Sequence, residues 1–203
     1  MEKILKIGVL VSGSGTNLQS ILDACASNEC KARVVCVISN KADAYALERA
    51  RNAGIPALHL DHRAYSGREG YDEALVATLR EFEVELVAMA GFMRIITPVL
   101  LEAFPNAVMN IHPALLPAFP GLHAQRQALE YGVKIAGCTV HFVDPGTDTG
   151  PIIIQAAVPV LEGDTEQSLS ARVQKEEHRI YPEAIQMFAE GRLSVTGRSV
   201  AVS

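Results

Sequence analysis

The sequence contains no tryptophan, and aromatic residues make up only 5% of its 203 residues. This scarcity argues against a site that stacks nucleic-acid bases or encloses a cation in an aromatic cage. Positive charge is also in short supply, because the net charge is −5. Nonspecific binding to nucleic acid needs an excess of positive charge, so we do not expect a nucleic-acid partner.

Long apolar runs are absent as well. No run approaches the roughly 18 residues of a membrane-spanning helix, and the N-terminus lacks the basic and apolar regions of a signal peptide. The few cysteines form no CxxC pair; they are Cys25, Cys30, Cys36 and Cys138. This pattern suits free thiols in a reducing compartment better than a disulfide scaffold or a zinc site. We therefore expect a cytoplasmic protein without a metal and without a membrane partner.

Hydrophobic residues make up 49% of the chain and charged residues 20%, which is typical of a folded protein. The length favours one domain, 1–203. Short runs rich in Val, Ile and Leu alternate with helical patterns, and this alternation predicts an α/β fold with a mostly parallel twisted sheet and helices on both faces. The predicted strands are Ile4–Val11, Val34–Ile38, Ala57–Leu60, Leu86–Ala90 and Val108–Ile111, and the predicted helices are Asn17–Ala26, Asp43–Ala53, Tyr71–Phe82 and a short helix after Pro98.

The pattern changes in the C-terminal part of the chain. Two strand-like runs, Ala136–Val143 and Ile152–Val160, flank a segment dense in turn residues and predict an antiparallel pair. A long helix follows, and we expect the tail from Leu193 to form a short edge strand and then a loose terminus.

The ends of the long helix carry recognisable signals. Asp164 or Thr165 can cap its start, with Gln167 in the capping-box position for Asp164. Pro182 lacks a backbone donor and is predicted to kink or restart the helix. Gly191 is predicted to end it.

The first candidate site is the glycine-rich loop between the first strand and the first helix, Ser12 to Asn17. Glycines let the backbone approach a ligand, and a helix N-terminus offers free N–H groups that bind phosphate. Leu18 is too large for the third position of a dinucleotide fingerprint, and the Gly-Lys-Ser/Thr of a P-loop is missing. A single phosphate group is therefore the favoured ligand, while an ordinary strand-to-helix turn explains the loop equally well.

The second candidate is Asn110 with His112, which end a predicted strand just before Pro113. Residues i and i+2 of a strand point to the same side, so an amide and an imidazole are presented together at the sheet edge where α/β proteins bind ligands. A lone histidine is more often a hydrogen-bonded core residue. The asparagine partner and the position of the pair favour a site instead.

Three further signals are weaker, and each has an ordinary explanation. Asp144 and Asp148 lie in a turn, where aspartates usually cap their own backbone. Arg94, after the fourth strand, can hold an anion or be solvated. Gln174 and Glu177 share one helix face, which is also what a polar surface would show. Other histidines, including His141, have no spacing that separates a core role from a site.

Six stretches of the chain together resemble a known family. That family is the phosphoribosylglycinamide formyltransferases, folate-dependent enzymes of purine synthesis within the wider formyltransferase superfamily. The resemblance covers nearly the whole chain and implies a Rossmann-like fold. The stretches are SGSGTNLQ (12–19), SNKADAYALERA (39–50), AGFMRI (90–95), NIHPALLPAFPGLHAQRQALEYG (110–132), GCTVHFVDPGTDTGPIIIQ (137–155) and ARVQKEEHRIYP (171–182).

The resemblance also implies roles for individual residues. A phosphate-binding half, 1–105, precedes a half that holds the catalytic groups and the folate cleft, 106–203. The implied catalytic residues are Asn110, His112 and Asp148. The implied contacts to the substrate phosphate and ribonucleotide are Gly15, Thr16, Asn17, Gln174 and Glu177, and the implied folate contacts are Arg68, Met93, Arg94, Ile95, Ile96, Asn110, Asp144 and Asp148.

The implied reaction transfers a formyl group from 10-formyltetrahydrofolate, a cosubstrate, to the primary amine of glycinamide ribonucleotide. Asn110 and a protonated His112 would stabilise the oxyanion, and a nearby carboxylate, Asp148, would favour the charged imidazole. The expected partners are these two small molecules, and the expected assembly is a monomer or homodimer. A formyltetrahydrofolate hydrolase, a methionyl-tRNA formyltransferase and a non-catalytic nucleotide-binding module are the alternatives.

Overall fold

The computed structural model describes residues 3–27 and 29–203, and within these residues the strands form one seven-stranded sheet and one two-stranded sheet. The strands are β1 (Leu5–Val11), β2 (Ala32–Ser39), β3 (Ala57–His59), β4 (Leu86–Met89), β5 (Val108–His112), β6 (Ile135–Phe142), β7 (Ile152–Pro159), β8 (Leu193–Thr196) and β9 (Ser199–Val202). The helices are α1 (Thr16–Ala26), α2 (Tyr45–Asn52), α3 (Gly67–Glu81), α4 (Pro98–Ala103), α5 (Ala124–Tyr131) and α6 (Glu166–Ala189).

The large sheet has the order β3-β2-β1-β4-β5-β6-β7. Its first five strands are parallel, while β6 pairs antiparallel with both β5 and β7. The prediction of a mostly parallel α/β fold with an added antiparallel pair and a long helix is therefore confirmed. Strands from 1–105 and from 106–203 hydrogen-bond within this one sheet, through β4 and β5.

The sheet is buried on both faces because its central strands are apolar at nearly every position. In β1, Ile7 and Val9 face a core that also contains residues of α1, α2 and α6, whereas Leu10 faces a second core with α3 and α4. Helices thus cover both faces, as the near-continuous apolar runs indicate. The carboxyl ends of the parallel strands meet at one edge, where the loops carrying the candidate residues lie.

Helix α6 packs on the face of the sheet that contains Ile7 and Val9. Its Tyr181 connects it to two central strands, β4 and β5. The buried Tyr181 hydroxyl lies 3.0 Å from the carbonyl oxygen of Met89 and 3.1 Å from that of Met109. Thr165 is the N-cap, and its side chain forms a reciprocal capping box with Ser168 rather than the predicted pairing of Asp164 with Gln167. Asp164 instead forms an ion pair with Arg172.

Two predictions for the C-terminal part need correction. Helix α6 does not restart at Pro182 but continues to Ala189, because buried residues on both sides of the proline pack into the core. The tail is not an edge strand with a loose terminus: β8 and β9 pair with each other as a separate hairpin. The guanidinium of Arg198, in the hairpin turn, donates to the Thr149 carbonyl 2.8 Å away. Helix α5 was not predicted at all.

We predict that Tyr181→Phe lowers the free energy of unfolding by about 1–2 kcal/mol, because it removes a buried hydroxyl that bonds to two strands. Urea denaturation at neutral pH measures the effect. Tyr131→Phe is the control, because the Tyr131 side chain is exposed. If the two variants have equal stability, the hydroxyl does not contribute to anchoring α6.

Candidate active site

The candidate site begins with two side chains at the carboxyl end of β5. Asn110 is partly exposed, while His112 is buried. They project to the same side of the sheet because they are two residues apart in a strand. An amide and an imidazole therefore lie side by side where the strand ends.

Both ring nitrogens of His112 face oxygen acceptors. Its Nδ1 lies 3.3 Å from Oδ2 of Asp148, and its Nε2 lies 2.9 Å from the carbonyl oxygen of Phe119. A protonated imidazole can donate from both nitrogens, whereas a neutral ring can donate from only one. The surroundings of His112 thus provide acceptors for its cationic form.

Asp148 does not cap its own turn. Its Oδ2 accepts a hydrogen bond from the backbone N–H of Gly121, 2.8 Å away, and its backbone has a positive φ of 53°. The self-capping role belongs to Asp144, whose Oδ1 accepts from the Gly146 N–H and the Thr149 hydroxyl. The two aspartates of this turn therefore differ: one stabilises the loop locally, and the other reaches His112.

His141 is a site residue that sequence reasoning missed. It lies on β6 directly across from Asn110, and its Nε2 is 3.2 Å from the Asn110 side-chain nitrogen. Its Nδ1 lies 2.9 Å from the Phe142 carbonyl, and burial lowers the pKa of the ring. A neutral His141 ring donates its Nδ1–H to the Phe142 carbonyl, which leaves Nε2 to accept a hydrogen bond from the side-chain amide of Asn110. This second bond fixes the orientation of the Asn110 amide. Only the antiparallel register of β5 and β6 could have revealed this pair.

A second group of candidate residues surrounds the start of α1. Gly15 is the N-cap, with a φ of 72°, and no side chain caps the helix. A Cβ at Gly15 would lie 2.6 Å from Cβ of Ala46, so only glycine fits there. The first N–H groups of α1 have no acceptor within the helix and are available to an anion.

Helix α6 brings Gln174 and Glu177 to this same point. The Gln174 amide donates to the Thr16 hydroxyl at 3.0 Å, and the Asn17 amide donates to Oε2 of Glu177 at 2.8 Å. Glu177 is only 8% exposed, and this burial raises the pKa of its carboxyl. The two residues therefore belong to a partly buried polar cluster, which a solvated helix face does not explain.

The residues with implied folate contacts are less closely grouped. Met93 and Ile95 are exposed in the loop after β4, Arg94 is partly buried, and Ile96 is buried. Arg68 is exposed in the first turn of α3. Among residues 3–27 and 29–203, the structure gives Arg68 no hydrogen bond or ion pair with another candidate residue.

The two polar groups lie on one edge of the sheet. Strand β4 separates β1 from β5, so the ends of β1 and β5 are about 10 Å apart. Over the part of the chain that the structure describes, no cluster of three or more His, Cys, Asp or Glu side chains is arranged to hold a metal ion. In that same part, no helix has the length and apolar character needed to span a membrane.

A sequence profile of the formyl transferase family matches residues 5–185, which include both polar groups. The chain belongs to the formyl transferase family. It is 50% identical to the phosphoribosylglycinamide formyltransferase of Escherichia coli strain K12 over 191 residues, which are 94% of this chain and 90% of that protein.

Solved structures agree with this membership. The glycinamide ribonucleotide transformylase 1 of Symbiobacterium toebii is 62% identical, with a TM-score of 0.97 over 98% of this chain and 94% of that one. A formyltetrahydrofolate deformylase from Pseudomonas syringae is 25% identical, with a TM-score of 0.91 over 98% of this chain and 66% of that one. The fold is thus shared by formyl transferases and a deformylase.

We predict that Asp148→Asn lowers turnover by about 100-fold or more at neutral pH, because it removes the charge beside His112 while keeping an acceptor for the Gly121 N–H. Steady-state kinetics measures the loss, and circular dichroism checks the fold. Glu162→Gln, at an exposed position outside the candidate site residues, serves as the charge-removing control. Equal turnover in the Asp148 variant and the parent would contradict an electrostatic role for Asp148.

Proposed function

We propose that the chain transfers the formyl group of 10-formyltetrahydrofolate to the primary amine of glycinamide ribonucleotide. The products are formylglycinamide ribonucleotide and tetrahydrofolate, and the reaction belongs to de novo purine biosynthesis. The observation that carries the proposal is the placement of two polar groups on one sheet edge. One group, around α1, suits a phosphate, and the other, at the end of β5, suits acyl transfer.

The ribonucleotide occupies the side near α1. Its phosphate accepts hydrogen bonds from the N–H groups of Gly15, Thr16 and Asn17, where the helix dipole favours negative charge. Gln174 and Glu177 contact the ribose and the glycinamide end, because both already lie against Thr16 and Asn17. The amine then points along the edge of the sheet toward Asn110.

The formylfolate occupies the side of the sheet edge formed by the loop after β4 and the 144–150 turn. Met93 and Ile95 supply exposed apolar side chains beside it, with Arg94 and Ile96 in the same loop. Asp144 and Asp148 border the pterin side, and Arg68 meets the acidic tail of the folate. The cosubstrate carries the formyl group, and no metal takes part in the steps that follow.

The chemistry is a nucleophilic acyl transfer. The amine nitrogen attacks the formyl carbon, a C–N bond forms, and negative charge develops on the formyl oxygen. The Asn110 amide and the cationic His112 donate hydrogen bonds to this oxygen, which is worth several kcal/mol in a site that excludes water. The Nε2–H of His112 exchanges the Phe119 carbonyl for the substrate oxygen. The bond to folate N10 then breaks, and the proton lost by the amine reaches N10 through His112 or a water.

Hydrolysis of the formylfolate is the second candidate, because the deformylase from Pseudomonas syringae shares the fold. The polar cluster around α1 favours the transferase, since water as a nucleophile needs no phosphate site. The loss of formylfolate, followed by absorbance with and without glycinamide ribonucleotide, distinguishes the two. Consumption that requires the ribonucleotide supports the transferase, and consumption without it supports the hydrolase. No consumption in either case contradicts both.

The setting of this reaction also belongs to the proposal. We place the protein in the cytoplasm, as a monomer or homodimer, acting on two small molecules without nucleic acid or membrane. Residues 1–105 bind the phosphate, and residues 106–203 supply the catalytic side chains and most of the folate cleft. Asn110, His112 and Asp148 are its catalytic residues.

Glu177→Gln tests the ribonucleotide side of the site. The raised pKa means that the folded state holds the Glu177 proton more tightly than the unfolded state does. Ionisation of the carboxyl as the pH rises therefore costs stability, and the variant avoids this cost. We expect its free energy of unfolding to match or exceed that of the parent, with a difference that grows as the pH rises above the unfolded-state pKa and levels off once the carboxyl is ionised in the folded state. The KM for the ribonucleotide should increase about tenfold, by the loss of one charged contact.

Thermal denaturation across pH and steady-state kinetics measure the two effects. Glu176→Gln is the control, because the neighbouring Glu176 pairs with Arg179 on the outer side of α6. A Glu177 variant that is less stable than the parent and keeps the parental KM would contradict the proposed contact.

A further inference from the structure

The loop after β4, residues 93–97, is held at both ends by side chains from elsewhere in the chain. The N–H of Met93 donates to the hydroxyl of Ser12, at the end of β1, over 2.8 Å. The N–H of Thr97 donates to Oδ2 of Asp72, on α3, over 2.5 Å. Ser12 is fixed in turn by its own hydrogen bond to Asn40. Hydrogen bonds to residues distant in sequence therefore fix the positions of both ends of this short loop.

Asp72 is an unusual residue to find in this place. It is only 2% exposed, on a helix whose other buried residues are apolar or aromatic. A buried carboxylate is costly unless it is paired or hydrogen-bonded. Burial raises the pKa of Asp72, while the Thr97 N–H and the nearby positive charge of Arg94 lower it. An apolar residue would pack there at a lower cost, so the contacts of the carboxylate with the 93–97 loop account for its presence.

The arrangement of the loop shows what these contacts achieve. Met93 and Ile95 are 60% and 58% exposed, whereas Ile96 is buried in the core next to α3 and α4. Large apolar side chains so exposed at a sheet edge are suited to covering an apolar ligand. Arg94 lies between them, and its Nε is buried without a hydrogen-bond partner in the described part of the chain. A shift of the loop at Thr97 would move the side chains of Met93, Arg94 and Ile95.

We propose that Asp72 is a positioning residue for formylfolate: it fixes the 93–97 loop so that Met93, Arg94 and Ile95 face the ligand. This inference rests on the proposed function, because it takes the loop as one wall of the folate site. Asp72 itself does not touch either substrate. Substitution of Asp72 should therefore lower the affinity for the folate. The affinity for the ribonucleotide should not change, because its site lies around α1.

The test compares Asp72→Ala and Asp72→Asn with Glu73→Gln, a charge-removing control at the exposed neighbouring position of α3. Calorimetry measures the Kd for reduced tetrahydrofolate, and steady-state kinetics measures the KM for each substrate. We expect Asp72→Ala to weaken folate binding about tenfold, the effect of one lost buried hydrogen bond to a charged group. The ribonucleotide KM should stay within about twofold of the parent. Asparagine can still accept from the Thr97 N–H, so Asp72→Asn should restore part of the affinity.

A purely structural role predicts something different, namely a lower melting temperature with both KM values unchanged or raised alike. That result, or a tetrahydrofolate Kd equal to the parental one in Asp72→Ala, overturns the proposal. If the alanine variant does not fold, Asp72→Asn decides: a Kd raised about threefold supports the proposal, and a parental Kd overturns it. Calorimetry also separates the two claims, because a parent protein that binds tetrahydrofolate without catalysing transfer refutes the proposed reaction but not the role of Asp72. A parent protein that binds no tetrahydrofolate refutes both.

Discussion

The contact between His112 and Asp148 is the interaction on which the rest of the site depends. Three segments must meet for it to form. Strand β5 presents the imidazole, the segment after it supplies the Phe119 carbonyl and the Gly121 N–H, and the turn after β6 presents the carboxylate. The antiparallel pairing of β5 with β6 sets Thr139 across from His112 and Phe142 across from Met109, so the turn after β6 starts beside the beginning of β5. The turn folds back from there, and this brings the Asp148 carboxylate to His112.

Buried polar groups mark each side of this site. Glu177, Asp72 and His141 all lie in surroundings where burial shifts their pKa values toward the neutral form. Apolar residues would pack at these positions at a lower cost in desolvation. Each of the three contacts a group at the sheet edge: Glu177 contacts the start of α1, Asp72 contacts the 93–97 loop, and His141 contacts Asn110. The folded state is less stable with these polar residues than it would be with apolar ones, and the function that we propose accounts for their presence.

Much of the architecture could be predicted from the sequence, because strands and helices follow locally from the periodicity of the apolar residues and from the composition of each segment. The two-residue spacing of Asn110 and His112 was enough to place them together. Glu177 was predicted only through the family resemblance, since its spacing on α6 looks like a polar surface. His141 and Asp72 gave no local signal, because their roles depend on strand register and on packing between distant elements. The β8–β9 hairpin was missed although its two strands are adjacent in sequence and pair with each other.

The central claim is that one sheet edge holds an amine and a formyl donor between Asn110, His112 and the start of α1. A crystal structure with glycinamide ribonucleotide and tetrahydrofolate, which lack a formyl group and so cannot react, tests it most directly. We expect the phosphate on the N–H groups of Thr16 and Asn17. We also expect the substrate amine and folate N10 to lie on either side of a gap next to Asn110 and His112, with room for one carbon at about 3–3.5 Å from the amine. A phosphate bound away from α1, or a folate whose N10 lies far from Asn110, would contradict this account.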